Sequence, residues 1–378
     1  MKVNMIENRS IEVDLGDRSY EIVIAERSRD DFGAFARRSL ERSWGGRGCK
    51  RCLIVTDRNV SQLAGPFEDS LLRVGVEPNR IELNPGESTK SLAAVSEVLD
   101  RLVELKADRH FAIVALGGGV IGDLAGFAAA IYARGVPLIM IPTSLLAQVD
   151  SSVGGKTGVN HPQVKNIIGA FHQPAGVWID VETLTKLPDR ELAAGAAEVV
   201  KYGLIRDLNL FEFMEFNASR LYKRDRSVLE RIVYQSCSIK AEVVAGDERE
   251  QGGAREILNF GHTIGHAIEA VAGYDGRVLH GEAVSLGMIA ETRLAESLGW
   301  INSQIGDRLE RLLDNLGLPT AIKDLEFERI IEAMRRDKKN RDGRIRFILP
   351  RSIGEVEGID LDEIGLIRVA VERLQGSI

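Results

Sequence analysis

Apolar runs of buried-strand length, each closed by turn residues, set the tightest limit on what this chain can fold into. Residues 51–56 (RCLIVT) and 111–116 (FAIVAL) are such runs, and each leads through a turn into a helical pattern. Residues 136–141 (VPLIMI) form a third, stopped by Pro142. Between them, 92–106 carries leucine and valine at three- and four-residue intervals, the mark of an amphipathic helix. Residues 11–15 and 20–24 read as short alternating strands. Strands alternating with helices predict an α/β fold with a mostly parallel sheet covered on both faces.

From about Leu184 the pattern changes. Residues 191–205, 227–244, 255–271, 282–298 and 305–316 all read as helices, and only 345–349 looks like a strand. A chain of 378 residues is comfortable as two domains. The expectation is an α/β domain over 1–183 and a helical one over 184–378, with the boundary near 180–187. Net charge is −7, so nucleic acid is not an expected partner, because phosphate backbones are bound by a basic excess. No apolar stretch approaches the ~18 residues that span a bilayer, and no membrane association is expected. The amino terminus lacks the apolar run of a signal peptide, and three cysteines cannot all pair, which points to a reducing cytoplasm. Cys49 and Cys52 form a CxxC that reads either as a redox pair or as an incidental pair before a strand.

After the run FAIVAL comes Gly117-Gly118-Gly119-Val120-Ile121-Gly122-Asp123, opening a helix over 124–132. The glycines fit GxGxxG in a strand-turn-helix context, where backbone amides at a helix start can cradle a pyrophosphate. A plain tight turn has the same composition. The acidic residue expected about twenty positions on, to bind ribose hydroxyls, is missing. Asp57, with Asn59 beside it, stands after the earlier strand and can replace it.

Arg255, Asn259, His262 and His266 are spaced by four, three and four residues and so share one face if 255–271 is a single helix. The positions between them include Ile257, Leu258, Phe260 and Ile264, so the polar stripe is narrow, as expected of one lining a buried site. Three of the six histidines fall within 262–280. Glu198, on the apolar helical stretch GAAEVVK, is a costly charge unless paired or coordinated. One carboxylate and two imidazoles suit zinc with a position open for substrate. His262 and His266 can instead be the ligand pair, and spacing alone leaves both arrangements open. A further constellation, DSSVGGKTGVN over 150–160 followed by Lys165-Asn166, suggests phosphate or carboxylate capture without the spacing of a Walker loop. The charge run 335–346 reads as a solvated surface from which Lys338 or Lys339 can reach an anion.

Taken together, GGGVIGDLAGF, IPTSLLAQVDSSVGGKTGVN, GAAEVVKYG, LNFGHTIGHAIEA, LHGEAVSLGM and RDKKN resemble the 3-dehydroquinate synthase family of sugar phosphate cyclases, in family order over most of the chain. The resemblance implies an N-terminal Rossmann-like NAD-binding domain followed by an all-helical metal-binding domain. It implies zinc, with cobalt as an alternative, on Glu198, His262 and His280, and an acid–base role for His266 and Glu250. Substrate contacts implied are Asp150, Lys156, Asn166, Lys201, Lys240, Arg255, Asn259 and one of Lys338 or Lys339. NAD contacts implied are Asp57, Asn59, Glu87, Lys90, Gly118, Gly119, Val120, Ile121, Gly122, Asp123, Thr143, Ser144, Lys156, Lys165, Thr183, Leu184, Thr185 and Lys186. Arg134 is similar to the family's residue that reaches into a neighbour's site, which implies a homodimer. The implied reaction takes a seven-carbon sugar-acid phosphate to a carbocycle through transient oxidation by NAD, loss of phosphate, re-reduction, ring opening and aldol closure. It belongs to the shikimate route to aromatic amino acids. One departure stands out. Glu250 and Arg255 are five residues apart, one more than the family pattern, as if a residue were added within 251–254.

Overall fold

The apolar runs of the first half do become adjacent strands. The computed structural model describes residues 9–25, 29–43, 48–162, 164–273, 276–322, 326–335 and 344–375. By internal contacts the chain divides into two units, Met1–Lys186 with Lys240–Arg249, and Leu187–Ile239 with Glu250–Ile378.

In the first unit the elements run β1 (Arg9–Val13), β2 (Tyr20–Ala25), α1 (Phe32–Ser43), β3 (Arg51–Asp57), α2 (Ala64–Arg73), β4 (Glu77–Leu83), α3 (Leu92–Glu104), β5 (Ala112–Gly117), α4 (Gly119–Ile131), β6 (Leu138–Pro142), β7 (Lys156–His161), β8 (Val164–Phe171) and β9 (Gly176–Asp180). Seven strands form one sheet in the order β1-β2-β9-β6-β5-β3-β4. All neighbours are parallel except the edge pair β1–β2. The central strands are buried along their lengths, which explains their unbroken Val, Ile and Leu content. Phe32, Phe35, Phe67 and Trp178 fill one face. The Phe32 and Phe67 rings meet edge-on at 5.2 Å, and Phe35 lies 5.2 Å from Trp178. Strands β7 and β8 make a separate antiparallel hairpin in what the sequence presents as a glycine-rich loop.

The second unit begins with α5 (Asp189–Arg206) and α6 (Leu208–Tyr222), and α7 (Arg226–Gly246) crosses from it into the first. It continues with α8 (His262–Ala272), α9 (His280–Ser297), α10 (Ser303–Asn315), α11 (Phe327–Arg335), the hairpin β10 (Ile345–Ser352) with β11 (Glu355–Leu361), and α12 (Ile364–Glu372). The unit is mainly helical, with the hairpin as an addition. Helix α9 is its centre, packing on α5, α8, α10, α12 and β10. It is buried almost all round.

Two helices depart from the sequence reading. Helix α4 starts at Gly119, not near residue 124, because the glycines Gly119 and Gly122 form its first turn and Gly118 is its extended N-cap. The single helix expected over 255–271 is broken. A 3-10 turn at Ala254–Asn259 ends at Phe260, Gly261 takes φ 79°, and α8 starts at His262. Gly261 lies against α9, where a Cβ would come within 2.6 Å of Met288 Cγ, so the break is a point of close packing as well as a positive-φ turn.

That packing generates a prediction. A Cβ on Gly287 would run into the Gly261 carbonyl, and one on Gly281 into the Ala194 carbonyl. Helix propensity alone favours alanine over glycine by about 1 kcal/mol. Overpacking of a rigid backbone contact costs about 1–3 kcal/mol. Gly287→Ala is therefore expected to lower the denaturant midpoint, and a raised midpoint would show that α8 and α9 have room to part.

Candidate functional site

In the first unit the strand order reverses between β3 and β5. Strand β4 lies on one side of β3, and β5 and β6 lie on the other. Such a switch point opens a crevice beyond the carboxyl ends of the strands. Asp57 ends β3 there, and Gly117 ends β5. The first-turn amides of α4 have no partner within the helix and face outward along its axis, a ready anion site. The Asp57 carboxylate takes the Asn59 amide at 2.8 Å, and burial raises its pKa above the ordinary carboxylate range despite that bond. Thr143 is joined to Gly117 through its backbone amide at 3.0 Å. Ser144 receives the Ala147 amide at 3.3 Å. A Cβ on Gly119 would lie 3.1 Å from Ser151 Oγ, a tight approach, whereas one on Gly118 would make only an ordinary contact with Ser144.

Beside the turn, residues distant in sequence are tied into one network. Lys90 Nζ donates to Asp123 Oδ2 at 2.6 Å and to Asn166 Oδ1 at 2.5 Å. Asn160 donates to Glu87 at 2.7 Å and accepts the Asn166 amide at 2.9 Å, with Asn166 held at φ 53°. Burial raises the Asp123 carboxyl above its usual range, and Lys90 offsets this in part. Lys240 Nζ donates to the carbonyl and to Oδ1 of Asp150, both at 2.7 Å. Lys156 is exposed at the start of β7, and Lys165 is half-buried on β8. Thr183, Leu184, Thr185 and Lys186 lie in the 3-10 turn after β9. The Leu184 and Ile121 side chains belong to the core. Arg134 is exposed and takes φ 67°.

In the second unit a tight cluster forms around Glu198 on α5, which is wholly buried. Lys201, one turn on, is 1% exposed and forms an ion pair with Glu198 Oε2. Its ammonium also lies 5.2 Å from the Tyr202 ring. His262 and His280, the first residues of α8 and α9, place Nε2 at 3.7 Å and 3.4 Å from Glu198 Oε1. His262 Nδ1 lies 3.0 Å from the Phe260 carbonyl, which can only accept, so Nδ1 holds the proton and Nε2 offers a lone pair. His280 Nδ1 lies 3.2 Å from Glu269 Oε2, again leaving Nε2 to face Glu198. Burial, together with Lys201 and the neighbouring histidines, pushes His262 well below its usual range. Burial also lowers His280, but Glu269 and Glu198 outweigh it and lift the ring to about 9.

Glu198, His262 and His280 each offer one ligand atom, all within 4.8 Å of one another. Two ligand atoms about 2.0–2.1 Å from one tetrahedral zinc are themselves about 3.3 Å apart, close to the spacings seen here. Glu198 is paired with Lys201 and faces His280, whose raised pKa gives it a proton that an ion would displace on binding. The donor set therefore fits zinc or a similar ion. His266, half-buried, stacks its ring 5.2 Å from His262 and 6.0 Å from His280.

Arg255 and Asn259 do not continue the α8 face, because Gly261 breaks the chain direction between them and His262. Arg255 is nonetheless buried to 2%, and its 3-10 turn packs on α5 and on the β10–β11 hairpin. Between Glu250 and Arg255 the backbone takes positive φ twice, 57° at Glu250 and 82° at Gly253. Glu250 is half-buried. Lys338 and Lys339 lie outside the described residues. Cys52 is buried in β3 with its thiol raised by burial, so the CxxC does not resemble a reactive pair.

Three further residues of these clusters, one in the first unit and two in the second, were not singled out from the sequence. Asn160 links Glu87 to Asn166. Glu269 sits seven residues after His262 on the same helix face, a signal that periodicity contained. Glu291 on α9 is fully buried and accepts the Gly261 amide at 2.6 Å and the Ile264 amide at 3.3 Å, capping α8 at the residue that begins with His262.

Models of the N-terminal and C-terminal parts of 3-dehydroquinate synthase match residues 80–194 and 195–340. The 3-dehydroquinate synthase of Desulforamulus reducens is 49% identical over 92% of this chain and 95% of its own length. The chain belongs to the 3-dehydroquinate synthase family. Among solved structures it is similar to 2-epi-5-epi-valiolone synthase from Streptomyces hygroscopicus subsp. jinggangensis, with NAD+ and Zn2+ bound. That match has TM-score 0.85 and 29% identity, over 96% of this chain and 98% of that one. It is also similar to a 2-deoxy-scyllo-inosose synthase complexed with carbaglucose-6-phosphate, NAD+ and Co2+, with TM-score 0.84 and 26% identity over 97% and 99%. The family's two parts thus meet at the start of α5, so Glu198 and the histidines of the cluster fall in the second.

The Glu291 cap yields a test. Removing a buried acceptor leaves its donors unsatisfied at about 1–3 kcal/mol each. Glu291→Ala is expected to lower unfolding free energy by about 2–4 kcal/mol, read by urea denaturation, with Glu291→Gln losing less. An unchanged midpoint in Glu291→Ala would show that the α8 start is held by other contacts.

Proposed function

We propose that this chain converts 3-deoxy-D-arabino-heptulosonate 7-phosphate to 3-dehydroquinate and phosphate, using NAD and a zinc-type ion. The observation that carries this reading is the convergence of Glu198, His262 and His280 beside the buried Lys201 in a member of this family. When bound, NAD supplies a reversible hydride acceptor and the ion a Lewis acid. The chain's own residues do the rest. Glu198, His262 and His280 would hold the ion, and His266, one turn beyond His262, would move a proton. The α4 amides, Asp57 and the Lys90 network would hold the dinucleotide. Lys156, Lys201, Lys240 and Arg255 would bind phosphate and carboxylate, and most of their value is positioning.

The second reading is a sister sugar phosphate cyclase whose substrate lacks a carboxylate, favoured by the likeness to 2-epi-5-epi-valiolone synthase and 2-deoxy-scyllo-inosose synthase. A fully buried arginine beside α5 supports the carboxylate reading, because its planar fork pairs with a carboxylate bidentately. Arg134, exposed on a left-handed turn, supports a homodimer in which it reaches the neighbouring chain. No described helix is long and apolar enough to cross a membrane.

Phosphate release by the purified protein is expected to require NAD while leaving its total oxidation state unchanged over many turnovers. Reduced NAD accumulating in step with phosphate would instead mark a dehydrogenase. Loss of a charged contact in a closed site costs about 2–5 kcal/mol, so Arg255→Ala should lower kcat/KM on the sugar-acid phosphate by about thirty-fold or more. Its metal content should stay normal. Near-normal kcat/KM in Arg255→Ala would favour the sister cyclase.

A further inference from the structure

We infer that Glu269 is a positioning residue for the metal centre, fixing His280 in the tautomer and ring orientation that turn Nε2 toward Glu198. The inference rests on the metal reading above and adds a residue to it. Glu269 is 4% exposed on α8, and its Oε2 is 3.2 Å from His280 Nδ1. A carboxylate buried so deeply is costly without a donor, and the imidazole N–H is one. With Nδ1 as donor, only Nε2 retains a lone pair, and it lies 3.4 Å from Glu198 Oε1.

The two histidines solve the same problem by different means. His262 gives its Nδ1 proton to the Phe260 carbonyl, two residues before it on the same chain segment. His280 starts α9 and is oriented instead by a side chain from α8. A carboxylate acceptor makes the ring a stronger ligand than a carbonyl does, and such outer partners are typically worth about 10–100-fold in metal affinity. Glu269 thereby also joins α8 to the first residue of α9.

A competing arrangement exists on the same atoms. His266, Glu269 and His280 also bring ligand atoms within 4.8 Å. If that set held the ion, Glu269 would be a ligand and Glu198 would be spared. In the arrangement inferred here His280 faces Glu198 through Nε2 and Glu269 through Nδ1, so Glu269 stays one step back.

The test uses the full chain stripped of metal by a chelator and titrated with Co2+, read by visible absorption. The unsubstituted protein is expected to develop a cobalt band, and His280→Ala to lose it. Glu269→Gln is expected to bind Co2+ about 10–100-fold more weakly, with the same band shape at saturation because the ligands are unchanged. Glu269→Asp, which keeps the charge at shorter reach, should fall between them and serves if Glu269→Gln does not fold. A merely structural role would lower the melting temperature of the metal-free protein and leave cobalt affinity alone. Affinity within two-fold of the unsubstituted protein in the folded variant overturns the inference while the metal reading stands. An altered band shape at saturation in Glu269→Gln, with Glu198→Gln keeping the original band, makes Glu269 a ligand and also overturns it. No cobalt band in the unsubstituted protein overturns both readings together.

Discussion

The helical unit depends on how closely α9 lies against α5 and α8. Gly281 meets the Ala194 carbonyl and Gly287 meets the Gly261 carbonyl, with no room at either point for a methyl group. Glu198, His262 and His280 come from three helices and bring their donor atoms within 4.8 Å of one another. Glycine contacts draw the backbones together just where the ligands leave them. His262 begins α8, His280 begins α9, and Glu198 sits four residues beyond Ala194 on α5. The same contacts account for the break at Gly261, because a continuous helix from Arg255 would carry a side chain into α9.

Much of this was legible in the sequence, and the rest failed for identifiable reasons. The buried strands announced themselves through unbroken runs such as CLIV in β3 and AIVAL in β5, since burial on both faces leaves no polar alternation. Strand β4 (EPNRIEL) did not, being an edge strand with mixed exposure. The hairpin β7–β8 was hidden by its glycines, two of which, Gly158 and Gly169, pair backbone to backbone. Helical spacing correctly placed His262 and His266 on one element but carried the pattern too far back, across Gly261. Periodicity counts side chains and is blind to a single residue at positive φ. Glu198 was found because a charge on an apolar helix needs a reason. Glu269 and Glu291 needed the same question and did not receive it.

Glu198 illustrates why a buried charge is better evidence of function than of stability. Replacing a buried ion pair by apolar residues is often neutral or stabilising. A carboxylate at zero exposure, paired with Lys201 and facing two imidazoles, is therefore retained at some cost to the fold. A cation among these atoms removes that cost, which makes metal binding and the stability of this cluster one linked quantity.

The same logic extends to the lysines. Lys90, Lys201 and Lys240 are 6%, 1% and 5% exposed, and each is held by a carboxylate: Asp123, Glu198 and Asp150. A protein that merely needed positive potential could leave such ammonium groups in solvent, as the exposed Lys156 is. Burying them against carboxylates instead cancels their charge at long range and fixes where their donors point. Lysine is a flexible point charge, so direction must come from its surroundings. For a net charge of −7, local pairing of this kind lets an acidic chain hold ordered cationic donors without a basic surface, so formal charge says little about which anions such groups can meet.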